Sequence, residues 1–217
     1  MKPLTSLWAL SLLLCATIGM AQSLDNLTKK DFGKTTVYYS QGEDISGNFS
    51  GELCAQANTY FTQTLANIEV PLRLLVLSKK DWPLYTQPGI IYGMPHYLDD
   101  GLTLIVAAED NAFWSNQVPD PSTISEPYRG LIPVVYNLNG TLSGRYFFDL
   151  LAVHELSHAW HSAAKLNTQR YWLSELFCNI MLHTFIAEER EEFLAALETL
   201  PAYWSSIEPD QFSYTSL

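Results

Sequence analysis

The chain has 217 residues, with 12 lysines and arginines against 23 aspartates and glutamates, a formal net charge of −11. Apolar residues make up 47% of it and aromatics 13%, which excludes a disordered chain and supplies one domain with a core that needs no disulfide or metal staples. The acidic excess argues against nucleic acid or an anionic membrane surface as a partner, because phosphate binding takes clustered Lys and Arg; it names no substrate and mostly serves solubility.

Residues 1–21 read as a secretory signal peptide. Lys2 is the positive start, residues 7–18 are an apolar stretch of the expected length, and Gly19-Met20-Ala21 is a small-x-small cleavage site. The stretch is too short for a spanning helix. The expected organisation is therefore a leader over 1–21 and a single domain over 22–217, secreted or periplasmic, with no membrane span after cleavage. Removing the leader takes away one lysine and no acid, leaving 11 basic against 23 acidic side chains, a net −12. It also removes Cys15. The remaining cysteines, Cys54 and Cys178, either pair, as an oxidising compartment allows, or stay as buried thiols behaving as small hydrophobes.

In chain order, residues 35–40 (TTVYYS) have the β-branched and aromatic character of a strand. Residues 46–65 carry Leu53, Ala57, Tyr60, Phe61 and Leu65 at helical spacing. Residues 71–77 (PLRLLVL) read as a buried strand. Three prolines and two glycines make 82–95 an irregular loop. A further strand over 102–108 (LTLIVAA) is entered through the Asp99-Asp100-Gly101 turn. Pro119, Pro121, Pro127 and Pro133 make 115–133 a long loop, and Leu138-Asn139-Gly140 is a tight turn. Helices follow over 145–165, 171–192 and 192–200, the last stopping at Pro201. Strands first and helices second indicate an α+β fold rather than alternating α/β.

Three of the five histidines, His154, His158 and His161, fall within eight residues. His154-Glu155-Leu156-Ser157-His158 is an H-E-x-x-H match inside an apolar helix, expected by chance only about 0.007 times in a chain of this composition. Positions i and i+4 put both imidazoles on one helix face, able to hold one Zn²⁺. Glu155 sits beside the metal, placed to take a proton from a metal-bound water. Two unpaired imidazoles and a carboxylate in such a helix would otherwise be costly to bury. A catalytic zinc takes three protein ligands. His161 lies about 10.5 Å along the axis from His154, so one ion cannot reach His154, His158 and His161 together. Glu175, 17 residues beyond His158 on the next helix and in aromatic and apolar company (WLSELFCN), is the better third ligand, since an acid there needs a cation or a partner. Asn179, at i+4 from Glu175, can accept the other N–H of a metal-bound imidazole.

H-E-x-x-H followed by a glutamate on the next helix resembles the gluzincin metallopeptidases, the thermolysin-like branch of the zincins. Glu175-x-x-x-Asn179 is similar to their E-x-x-x-D arrangement, with Asn in place of the usual Asp. The resemblance covers roughly residues 145–185. It implies a compact zincin-like fold, Zn²⁺ on His154, His158 and Glu175, Glu155 as general base, and hydrolysis of a peptide or protein substrate. It also implies an antiparallel edge strand that pairs with substrate backbone, for which residues 102–108 are the natural choice. Asn111-Ala112-Phe113-Trp114 matches a tetrapeptide at the substrate-binding edge of thermolysin; the other reading is a turn with a buried Trp. The resemblance asks for an oxyanion donor downstream of the third ligand: His183, Tyr203 and Tyr214 are available, and a longer gene product would offer others beyond residue 217. Two further readings stand beside a peptidase: a zincin-fold binding or structural protein with a non-catalytic zinc site, and a secreted binding module without metal. Substrate preference rests with loops 83–101 and 115–137, which one sequence does not determine.

Overall fold

The computed structural model describes residues 23–208 except positions 66, 69 and 99; the leader over 1–21 and Tyr214 lie outside the described residues. Five strands form one sheet: β1 (Thr28–Phe32), β2 (Thr35–Tyr39), β3 (Leu72–Leu77), β4 (His96–Tyr97) and β5 (Thr103–Ala107), in the order β1-β2-β3-β5-β4. β2, β3 and β5 run parallel, and β1 and β4 close the two ends antiparallel. Parallel neighbours need a crossover, which α1 (Asp44–Thr64) makes between β2 and β3. Along β2, Thr35, Val37 and Tyr39 are buried while Thr36 and Tyr38 are half-buried. Gly47 and Gly51 are what let α1 settle on that buried row. A Cβ at either would stand 2.5 Å from the Tyr39 ring or 2.6 Å from the Phe32 ring.

The order is therefore mixed α/β, with the five-stranded sheet confined to the first half and helices dominating the second. Past α2 (Trp82–Tyr85), one turn inside the expected loop 82–95, and β5 come α3 (Ala112–Ser115), α4 (Tyr128–Val135) and the hairpin of β6 (Asn137–Leu138) and β7 (Thr141–Leu142). Asn139 and Gly140 both take positive φ (53° and 87°), as a two-residue hairpin turn demands. Then follow α5 (Arg145–Phe148), α6 (Leu151–Ala163), α7 (Tyr171–Glu189) and α8 (Leu194–Ser205). No helix among the described residues is long and apolar enough to cross a membrane.

Several expectations are corrected. The loop over 115–133 contains most of α4, because burial of Ile132 and Tyr136 outweighs the single backbone bond that Pro133 forfeits. The helix over 145–165 is two pieces. Leu150 N bonds Phe147 O and Val153 N bonds Leu150 O, a 3₁₀-type tightening between α5 and α6. Pro201 does not end α8, which continues until Ser205 with Trp204 edge-on to Phe147 at 5.7 Å. β5 is not an edge strand: β4 covers it, and β4 is the edge. β1 (TKKDF) and two-residue β4 were not foreseen, because the first is polar and the second too short for a period. Cys54 and Cys178 are free and buried, which decides between the two readings in favour of thiols; burial pushes both up to about 12.

α6 packs on β5, α1 and α7. Two buried polar links hold it. The Trp160 indole Nε1 donates to Asn58 Oδ1 on α1 at 2.9 Å, and Asn58 Nδ2 donates to Val70 O at 2.7 Å. At its leading end Arg145 donates to Asp149 (2.8 Å) and to Ser46 Oγ (2.7 Å), while Ser46 donates to Ala108 O at the end of β5 (2.7 Å). The sheet, α1 and the motif helix are thereby tied into one frame. Asn58→Ala leaves the buried indole N–H and the Val70 carbonyl without this partner, at about 1–3 kcal/mol for each group so stranded. The expected result is a urea unfolding free energy lower by at least about 2 kcal/mol; an unchanged midpoint would contradict the role given to Asn58.

Candidate metal centre

α6 carries His154, Glu155, His158 and His161, and α7 carries Glu175, Cys178, Asn179 and His183. Helical spacing turns His154 and His158 to the same side, and the packing of α7 on α6 brings Glu175 up to them. His154 Nε2 and His158 Nε2 are 3.2 Å apart; Glu175 Oε2 is 3.3 Å from the first and Oε1 is 3.4 Å from the second. This is the one group of three or more such side chains among the described residues arranged to hold a metal ion.

Those separations carry a geometric test. Bonds of about 2.0–2.1 Å meeting at the tetrahedral angle hold their donor atoms about 3.3–3.4 Å apart. The two nitrogens stand 3.2 Å apart and each meets a different oxygen of Glu175 at 3.3–3.4 Å, while one ligand atom from each residue lies within 4.8 Å of the others, so the residues present fit a single ion. Polar accounting agrees. Glu175 Oε1 is shut off from solvent with no hydrogen-bond partner, which a cation at this point would remedy. The His154 Nδ1–H donates to Asn179 Oδ1 at 3.0 Å, an assignment that leaves the Nε2 lone pair facing the other two donors. Burial, reinforced by the neighbouring imidazole of His154, holds His158 below its ordinary value. That keeps its ring in the neutral, metal-binding form.

Glu155 follows His154 yet takes no part in the three-donor group, and its carboxylate makes no hydrogen bond among the described residues. Burial, with the Glu175 charge in second place, pushes its carboxyl up to about 7. His161 lies against the Phe177 ring at 5.4 Å, a neighbour of the centre as its axial distance required.

Two of the three donor positions expected downstream, His183 and Tyr203, have partners elsewhere. His183 Nε2 donates to Glu198 on α8 at 2.8 Å, and Tyr203 packs edge-on to Tyr128 at 5.5 Å. Asn111-Ala112-Phe113-Trp114 is the capped turn with a buried Trp: Asn111 caps Trp114 N, and the Trp114 indole donates to Gly93 O at 2.6 Å. Two tyrosines near the centre escaped the sequence reading. Tyr171, exposed at the start of α7, is raised above its ordinary value first by a hydrogen bond to Glu175; its i−4 spacing from Glu175 was the available signal. Tyr97 on β4 has a buried hydroxyl with no partner, and Cys54, Glu155 and Cys178 act on it electrostatically. Only the sheet order places it there. No family model, curated protein or solved structure matches the chain.

Zinc serves as the probe for this geometry. At a hundredfold excess over its dissociation constant it adds about 2.7 kcal/mol of stability, which raises the melting temperature of a domain this size by about 5–10 °C. Chelator should reverse the rise, and Glu175→Ala or His158→Ala should abolish it. Asn179→Leu, which removes the partner of His154, should weaken zinc about 10–100-fold. A rise that survives Glu175→Ala would remove Glu175 from the ligand set.

Proposed function

We propose that the chain is a compact zinc metallopeptidase of the gluzincin kind, a zincin-like domain that acts outside the cytoplasm. The observation that carries this reading is the division of labour between two carboxylates. Glu175 completes a three-donor group, whereas Glu155, one residue from a donor, stands half-buried beside it with no hydrogen bond to its carboxylate among the described residues. A site built only to staple the fold has no use for that second carboxyl.

His154, His158 and Glu175 would hold the ion, which when bound lowers the pKa of a water and polarises a carbonyl. Glu155 takes the proton of the attacking water and passes it to the leaving amine; its burial favours the protonated carboxyl it holds between the two transfers. Asn179 fixes the tautomer and direction of His154. The Tyr171 hydroxyl, in reach of Glu175 and open to solvent, is the donor available to the oxygen that gains charge at the scissile carbonyl. β4, bonded to the sheet on one side only, offers its outer edge to an extended substrate.

Glu155→Gln preserves shape and removes the base. Zinc content should stay at the wild-type level while cleavage of an unstructured protein falls by about 10²–10⁴-fold. Full activity in Glu155→Gln, or no cleavage by the zinc-loaded wild type against a broad peptide library, would overturn the reading.

A further inference from the structure

A cavity of about 630 Å³ opens beside the metal centre, and Asn179 belongs to both. Its walls are apolar: Leu151, one turn before His154, then Ile180, Leu182, Leu197 and Trp204. Its polar groups come from α7 and α8: Asn179, Thr184, His183 and Glu198. Glu198 is the only carboxylate among the lining residues, and neither lysine nor arginine lines the cavity among the described residues. The bond from His183 Nε2 is made to Glu198 Oε1, which leaves Oε2 without a hydrogen bond among the described residues. Both side chains of the pair are about half exposed, at 50% and 54%, which puts them at the rim.

Apolar walls ending in one carboxylate match a side chain with a hydrocarbon stem and a cationic head. A purely aliphatic side chain would fill the walls and leave Glu198 unanswered; an acidic one would meet like charge. The net charge of −11 draws cationic ligands in the same sense. We infer that this cavity is the specificity pocket of the centre, that it takes an arginine or lysine side chain of a peptide substrate, and that Glu198 selects the charge. The inference rests on the peptidase reading for the peptide nature of the substrate. The cavity and its chemistry stand without it.

The test uses zinc-loaded protein and a set of unstructured peptides in which the residue on either side of the cleaved bond is Arg, Leu or Glu. At one of the two positions wild type should cleave the Arg peptide about fivefold faster than the Leu peptide, the factor a half-exposed ion pair supports, and the Glu peptide slowest. Glu198→Gln can still accept from His183, and it should bring Arg and Leu to parity. The same peptides are titrated calorimetrically onto Glu155→Gln, where a fivefold preference for Arg should vanish once Glu198→Gln is added. An Arg-to-Leu ratio that is unmoved by Glu198→Gln, or a wild-type preference for Leu, would overturn the inference. No cleavage of any peptide together with an intact, Glu198-dependent binding preference would sink the peptidase reading and uphold the pocket.

Discussion

The packing of α7 on α6 presses two imidazoles and a carboxylate together with 3.2–3.4 Å between their nearest atoms. Without a cation this is a poor arrangement. One Nε2 can donate to the other ring at 3.2 Å, but the buried Glu175 Oε1 then has no hydrogen bond to accept. The cost of stranding such groups away from water is several kcal/mol, so the helices would be expected to part or the side chains to turn away. They stay instead close enough for one ion to take an atom from each, and links to both halves of the chain keep them there.

That service runs through few interactions. Trp160 lies two residues past His158, and its bond to Asn58 ties the motif helix to α1. The chain Arg145–Ser46–Ala108 ties the approach to that helix to the end of β5. α1 in turn sits close on β2 because Gly47 and Gly51 leave room for the Tyr39 and Phe32 rings. Position at the donors is inherited through these links from the sheet. Asn179 closes the last degree of freedom, the rotation of the His154 ring.

How much of this was legible beforehand follows from the range of each interaction. His154, Glu155 and His158 are set by one helix, so a spacing of four announces them. Glu175 and Asn179 were reachable because a short link between two amphipathic helices forces them together. Helical spacing alone also held Tyr171, four residues before Glu175, although the reading looked downstream for a donor. Tyr97 was beyond reach, since its place depends on β4 inserting as the edge beside β5, a pairing that two residues cannot signal. Pro133 and Pro201 misled because proline costs a helix one bond, and tertiary burial around Ile132 and Trp204 outweighs one bond. The apolar cavity is likewise invisible in sequence: its walls come from α6, α7 and α8, and its charge from Glu198, a residue that reads as ordinary helix surface.

The central claim is that a single ion sits between α6 and α7 on two nitrogens and one carboxylate oxygen. X-ray absorption at the zinc edge of protein loaded with one equivalent tests it most directly. The account predicts a four-coordinate zinc with nitrogen and oxygen neighbours at about 2.0–2.1 Å and multiple-scattering features from two imidazoles, falling to one imidazole in His154→Ala. A six-coordinate oxygen shell, sulfur from Cys178 in the ligand sphere, or a spectrum unchanged by His154→Ala would contradict it.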